Sequence, residues 1–431
     1  MSATVHHLHG HPQPIGQFLR VGNSGHRQLE TLHSAGRLPI DRVVVEAAWF
    51  EPQKDLVRAL REAGAEIVLD TNVAELSALG RYEAIARRLP WGEESRPLVP
   101  GDFSAGSLRD IGGQIARFAV AAEVDVVLAP THFVEGARSD WSRVDLEACE
   151  RLRRALDAEG GSRIAIDYPL ITTYATIREA AQRRAFINHL RDLPFDNLWL
   201  RVSGFGADAS PTGVRRYVST VADFHALDVP IVADCVGGLT GLAIAAFGAC
   251  GAVAHGVAEK ERFEGSSWHA PRRKGGGGQS GRVYIAALDR QVKLKDAFAL
   301  MEARGARRLL ACRDLDCCPR GADDMFRNPK AHFLTQRNRQ LHDLSQVPES
   351  RRIERFLDYH LTTADRLARQ AAKLRTGSDA MDDALARASI RLDRMRGVLE
   401  DLHRTIGDEY SRSASPQRRS DPSRRASRHA D

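Results

Sequence analysis

One repeated unit constrains this chain more than any other feature. Between Gly16 and Val257, short apolar, β-branched runs end in polar residues and are followed by stretches of helical spacing. Eight runs stand out: QFLRV (17–21), RVVVEA (42–47), EIVLDT (66–71), VDVVLAP (124–130), RIAIDYP (163–169), NLWLRVS (197–203), PIVADCV (230–236) and GAVAHGV (251–257). They are nearly continuous rather than alternating, the pattern of parallel strands buried on both faces. The stretches between them are amphipathic. Leu29 and Leu32 share a face, as do Leu56, Val57 and Leu60 ahead of Gly64, and Leu146, Cys149, Leu152 and Leu156. Eight such units in about 240 residues predict an α/β fold, a closed (β/α)8 barrel. An open doubly wound sheet is the other reading, but no glycine-rich nucleotide fingerprint follows any strand. Residues 73–110 read as an insertion over the barrel mouth.

The flanks divide by composition. Residues 1–15 are a His-rich extension, 16–271 the barrel, 272–350 a cysteine-rich subdomain with a closing helix, 351–407 a helical hairpin, and 408–431 a basic tail. The stretch RRKGGGGQSG (272–281) reads as a flexible basic linker, since no strand and helix flank it as a phosphate cradle requires. In the hairpin, Leu357, Leu361, Ala364, Ala368 and Ala371 line one helix. Met381, Leu385, Ala388, Leu392, Met395, Leu399 and Leu402 form a heptad seam on the other. That seam either packs on its own chain or builds a homodimer. The formal net charge is +6, and the last 21 residues hold six arginines against Asp421 and Asp431. A tail without large apolar residues does not fold alone. It either keeps the chain solvated or attracts phosphate backbones by counterion release, which makes nucleic acid a candidate partner through loop and tail. No apolar run is long enough for a bilayer, and the opening MSATVHHLHGHPQP lacks the basic-then-apolar order of a secretory signal, so the expected location is cytoplasmic.

Three of the six cysteines, Cys312, Cys317 and Cys318, fall in ACRDLDCCPRG. Cysteines this sparse do not make a disulfide scaffold. Three thiols at a turn favoured by Pro319 and Gly321 predict a structural Zn2+ site of the Cys3His kind. The fourth ligand is His332 or His342. Core thiols and a redox pair are the competing readings. The run RRLLACRDLDCC is expected to be a strand that delivers the cluster, while Cys149, Cys235 and Cys250 read as core thiols.

Barrel chemistry sits where strands end at the C-terminal face. The polar residues at the eight exits are Arg20 with Asn23, Glu46, Asp70 with Asn72, His132, Asp167, Arg201 with Ser203, Asp234, and His255 with Glu259. Asp167 and Asp234 each follow a fully apolar run, IAI and IVA. They are expected to share one pocket at the mouth, as nucleophile and as acid or base. Arg201 on the strand between them would keep one ionised or hold an anionic substrate group. Arg20, Asp70, Asn72, His132, Ser203 and His255 complete the expected substrate-binding set; capping the next helix is the competing role for Asp70 and Asn72.

The layout, a barrel followed by LLACRDLDCC and a helix carrying His332, resembles that of the tRNA-guanine transglycosylase family and its DNA-acting relatives. The GGL at Gly237, Gly238 and Leu239 is similar to the family's glycine-leucine loop in the base pocket. The family's cysteine spacing is C-x-C-x2-C, against C-x4-C-C here. The resemblance implies structural zinc, nucleic acid as substrate, and base exchange by attack of an aspartate on a sugar C1′. Asp234 is then the nucleophile and Asp167 the base-recognising acid, with Gly237 and Gly238 at the substrate. A metal-dependent hydrolase of a small molecule is a second reading, from His7 and His9 in HHLHGH with His132 and His255 at later strand ends. A non-catalytic barrel that binds nucleic acid or protein is a third.

Overall fold

The computed structural model describes residues 14–23, 25–104, 107–271 and 281–414, with side chains through residue 406. His7, His9, most of the basic linker and the arginine-rich tail lie outside these residues.

The strands form where the apolar runs stand. They are β1 (Gly16–Arg20), β2 (Arg42–Glu46), β3 (Glu66–Asp70), β4 (Val126–Leu128), a two-residue β5 (Phe133–Val134), β6 (Ala165–Thr173), β7 (Asn197–Ser203), β8 (Ile231–Asp234) and β9 (Ala252–Gly256). All but β5 make one closed parallel cylinder in the order β1-β2-β3-β4-β6-β7-β8-β9. Closure is carried by β1 against β9, from Gly16↔Ala252 to Arg20↔Gly256, and by β4 against β6, from Val126↔Ala165 to Leu128↔Asp167. The short β5 adds to the far end of β6. The chain is therefore the (β/α)8 barrel that its pattern predicts.

Alternation along the strands sorts the side chains. Phe18, Val44, Val68, Val126, Leu128, Trp199, Val232, Ala252 and Ala254 fill the cylinder as an apolar plug. Phe18 meets Trp199 edge-on at 4.8 Å between centroids. Their strand neighbours, such as Leu19, Val43, Ile67, Leu200 and Val253, face outward onto the helices.

The helix of the eighth unit is Pro329–Ser345. It lies against the outside of β9 and β1, with Phe333 edge-on to His255 and the Ser345 hydroxyl accepting from the Ile15 N–H. Residues 258–328 are thus an insertion between the last barrel strand and its helix. Among the described residues they hold an antiparallel ribbon, β10 (Arg282–Ile285) and β11 (Arg290–Lys293), and three short α-helices. Ala306–Leu310 is one of those helices, not the strand expected ahead of the cysteines. A five-residue apolar run does not distinguish the two, and Gly305 in the left-handed region (φ 83°) starts the turn.

The hairpin pairs helices ending at Ala371 with a helix spanning Asp379–Ala414. Leu385, Ala388, Leu392, Met395, Leu399 and Leu402 are all buried within the single chain. The described part of the heptad seam packs on its own barrel and partner helix. Leu392→Ala is expected to cost about 3 kcal/mol of stability while leaving the sedimentation mass unchanged. Chemical denaturation and analytical ultracentrifugation check both halves.

Candidate functional site

Directly above the apolar plug, at the C-terminal end of the cylinder, four charged side chains meet on the axis. Arg20 donates through Nε and Nη2 to both oxygens of Asp234, each at 2.7 Å, and through Nη1 to Asp70 at 2.7 Å. Arg201 donates to the same two acids, Nε to Asp234 at 2.7 Å and Nη2 to Asp70 at 2.9 Å. All four are buried. Burial alone would raise both carboxyls; the paired guanidinium groups overcome it and hold Asp70 and Asp234 below the ordinary aspartate value.

Around this ring stand Glu46, ion-paired with Lys260, and Glu75, 3.6 Å from Arg201. Burial first, then the Asp70 carboxylate, raises the Glu75 carboxyl above its usual value. Its Oε2 is buried without a partner. Glu75 lies in the segment that the sequence marks only as an insertion, and no local signal points to it.

The segment after β9 crosses the mouth. Phe263 and Trp268 pack with Ala74, Ala78, Ile171 and Cys235 over the axis. The Trp268 carbonyl accepts from the Gly80 N–H at 2.9 Å. A Cβ at Gly80 would lie 2.4 Å from two carbonyl oxygens of this segment, so only glycine allows the approach. Asn72, Cys235, Ala258 and Lys260 all hold left-handed backbone here, φ 56°, 59°, 60° and 52°. Such conformations are costly away from glycine and cluster at functional sites.

Beside the axis opens a cavity of about 460 Å³, walled by Ala74, Ala78, Phe133, Trp141, Trp268 and His269, with His132 at its side. His132 leaves the end of β4 and is fixed on three sides. Both oxygens of Asp145 accept from it, Oδ1 from ring Nδ1 at 2.5 Å and Oδ2 from its backbone N–H at 3.0 Å. Trp141 stacks on the ring at 3.7 Å between centroids, and Phe103 meets it edge-on at 4.8 Å. Nδ1 carries the proton toward Asp145, so Nε2 is the basic nitrogen. It is buried and has no hydrogen-bond partner. Burial raises the Asp145 carboxyl despite His132. Asp145 sits mid-helix, thirteen residues from His132, where sequence alone shows no reason to pair them.

Several expected site residues are placed elsewhere. Asp167 and Asp234 do not share a pocket. Asp167 aligns with Asn197 at the start of β7, whereas Asp234 aligns with Arg201 near its end. Four residues of strand, about 13 Å, separate the two levels. Asp167 lies below the mouth, inside the cylinder, accepting from Asn197 Nδ2 at 2.8 Å and Trp199 Nε1 at 2.7 Å. Burial pushes its carboxyl up to about 6, against those two hydrogen bonds. His255 points out of the barrel, because Ala254 and Gly256 take the inward positions; its Nε2 meets Gln17 at 3.0 Å. His132 and His255 therefore do not converge on a catalytic metal.

Asn72 accepts from the Ala48 N–H, a bracing role. Ser203 accepts from the Gly265 N–H and so anchors the covering segment. Gly237 and Gly238 lie against their own chain: a Cβ at Gly237 would fall 2.2 Å from Glu261 Oε1, which accepts from the Gly238 N–H at 3.1 Å.

The cysteines do assemble. The ligand atoms of Cys312, Cys317, Cys318 and His332 all lie within 4.8 Å of one another. The Cys317 and Cys318 sulfurs are 3.6 Å apart, and each is 3.4 Å from His332 Nδ1. Tetrahedral bonds of about 2.3 Å require roughly 3.7 Å between sulfurs, so the spacing fits one metal ion. His332 Nε2 meets the Tyr284 carbonyl at 3.1 Å, which fixes the ring with Nδ1 toward the sulfurs. His342 is exposed and takes no part.

No protein-family model and no curated protein matches the chain. Among solved structures, KGPDC from Streptococcus mutans is 11% identical, covering 59% of this chain and 94% of that one, with a TM-score of 0.35. An endo-1,4-beta-xylanase from Penicillium canescens is 11% identical, covering 56% and 81%, with a TM-score of 0.37. A type I 3-dehydroquinate dehydratase from Clostridium difficile is 10% identical, covering 59% and 89%, with a TM-score of 0.35. These likenesses are too distant to carry an argument about chemistry. No helix among the described residues is long and apolar enough to cross a membrane.

Two outcomes are expected. Elemental analysis of purified protein should find about one metal ion per chain, and His332→Ala should lose it with a clear fall in melting temperature. The second concerns Asp167, whose folded carboxyl titrates at about 6 against 3.8 unperturbed. Its stabilisation is full below the unfolded value and is lost as pH rises through about 6, at most about 3 kcal/mol. Asp167→Asn should therefore raise the melting temperature at about pH 8 and change it little at about pH 4. An equal effect at both would contradict the assignment.

Proposed function

We propose that this chain is a barrel enzyme that works by proton transfer on a planar, nitrogen-containing ring of the nucleobase kind. The observation that carries the reading is His132: its Nδ1 is paired with Asp145, Trp141 fixes its plane, and Nε2 is left without a partner behind the wall of an aromatic-lined cavity, where a small movement of the wall would bring a ligand within reach. A general base needs a fixed tautomer, a free nitrogen and a site where the substrate can sit within reach. Phe133, Trp141 and Trp268 offer ring faces and edges to a flat ligand. His132 Nε2 takes a proton from the ring or its attacking partner and returns it to the leaving group. Asp145 holds the imidazole in register and stabilises it when both nitrogens are protonated.

Base exchange on a nucleic acid is the reaction of this class that the layout of the cysteine segment implies by resemblance. Supporting that layout, the four metal-type ligands sit in an insertion between the last barrel strand and its helix, and the helix supplies His332. We assign zinc to them, since three thiolates and an imidazole at tetrahedral spacing suit it; its role is structural. Asp234 is not given the nucleophile's part. Both of its oxygens are held by Arg20, and Arg201 holds one as well. Glu75, with an uncommitted oxygen and a raised carboxyl, is the better acid on the axis.

The test has two readouts. Binding of guanine should quench the fluorescence of Trp141 and Trp268, and Trp141→Leu should weaken it. Incorporation of labelled guanine into bulk tRNA or DNA should fall about a hundredfold or more in His132→Gln. Undiminished turnover in that variant, or no quenching by guanine, overturns the reading.

A further inference from the structure

Away from the His132 cavity, the insertion and the long C-terminal helix enclose a second cleft of about 650 Å³. It adjoins a space of about 400 Å³, and Arg282, Leu288, Arg290 and Gln291 line both. Its lining holds seven cations against four carboxylates, those of Asp208, Glu259, Glu261 and Asp289. Lys260, Arg262 and Arg337, at its barrel side, are matched by Glu46, Asp208 and Glu261. Of the four arginines across from them, only Arg391 has a close carboxylate partner. Among the described residues, Arg282 and Arg290 have no ion pair, Arg387 reaches Asp383 only at 4.0 Å, and Arg391 has Asp289 at 3.1 Å.

Arg282 and Arg290 begin the two antiparallel strands and so stand at opposite ends of the ribbon, while Arg387 and Arg391 are one helical turn apart on the long helix. Like charges at that spacing repel. Partial burial and the neighbouring Arg387, Arg391 and Arg282 hold the Arg290 guanidinium below its ordinary value. The polar floor is equally unspent. Arg391 Nη1 and both amide atoms of Gln291 are buried without a hydrogen-bond partner. Buried donors left unmade are costly, and here they sit with surplus positive charge in a concave space. An oxyanion with several acceptors would offset the charge and serve the two donors, Arg391 Nη1 and Gln291 Nε2.

We propose that this cleft is a binding site for a phosphate group, carried by a free phosphorylated compound or by a nucleic-acid backbone. Guanidinium forks match phosphate oxygens in pairs, Gln291 donates through its amide, and Arg391 bridges the ligand to Asp289. The site is independent of the chemistry assigned to His132.

The experiment titrates full-length protein with pyrophosphate by calorimetry and with a labelled single-stranded oligonucleotide by fluorescence anisotropy. The variant Arg290→Gln/Arg387→Gln removes two exposed side chains and should fold normally, as circular dichroism checks. The control Arg58→Gln/Arg143→Gln removes the same charge outside the cleft. Pyrophosphate affinity should fall about tenfold or more in the first variant and hold in the control. If the oligonucleotide is weakened in parallel and displaced by pyrophosphate, the phosphate belongs to a nucleic acid. If only pyrophosphate responds, it belongs to a free compound. Absence of pyrophosphate binding, or equal binding by all three proteins, overturns the site.

Discussion

The structure depends on four charges buried where water cannot reach them. Arg20, Asp70, Arg201 and Asp234 come from β1, β3, β7 and β8, and each arginine touches both acids. Removing any one would leave an unmatched charge above an apolar plug, which costs several kcal/mol. The ring therefore also fixes register, because a one-residue slip of any of these strands would turn its charge out among the helices. Its surroundings are unbalanced. Arg20, Arg201 and Lys260 face Asp70, Asp234, Glu46 and Glu75, three cations against four carboxyls. Glu75 carries the strain of that excess: burial and the Asp70 carboxylate raise its carboxyl above the usual value, and its Oε2 has no partner.

The insertion after β9 couples the metal-type group to this mouth. His332 is tied to the Tyr284 carbonyl, and the Tyr284 hydroxyl accepts from Arg337 at 2.9 Å. Arg337 also binds Glu261, which holds the Gly238 N–H, while Asp289 holds the Leu239 N–H. One ribbon and one arginine thus lie between the cysteines and the loop after β8.

The barrel was legible because parallel strands buried on both faces leave continuous apolar runs, and all eight formed where those runs stand. The metal-type group was legible because its ligands are close in sequence. The geometry of the mouth was not, and two residues show why. Asp167 and Asp234 follow equally apolar triplets, but β6 runs on through Pro169 to Thr173, whereas β8 ends at Asp234. Proline looks like a strand's end, so the position along the barrel was misplaced by about four residues' rise. His255 failed on parity, since a run buried on both faces carries no mark of which side is inward. Asp145 and Glu75 failed because their partners are remote in sequence: a carboxyl in a helix reads as solvated until the fold brings His132 or Arg201 against it.

The two polar centres at the mouth are not as separate as their contacts suggest. The single helical turn Val73–Leu76 stands between them. Ala74 and Ala78 face the His132 cavity, while Glu75 turns to Arg201 on the axis. Trp268 belongs to both sides, covering the axis and lining the cavity. Small side chains make this wall thin, and the left-handed residues Ala258 and Lys260 brace the segment that closes it. His132 and Glu75 therefore stand on the two faces of one thin wall, the first with a partnerless ring nitrogen and the second with a partnerless oxygen and a carboxyl raised by burial and by Asp70.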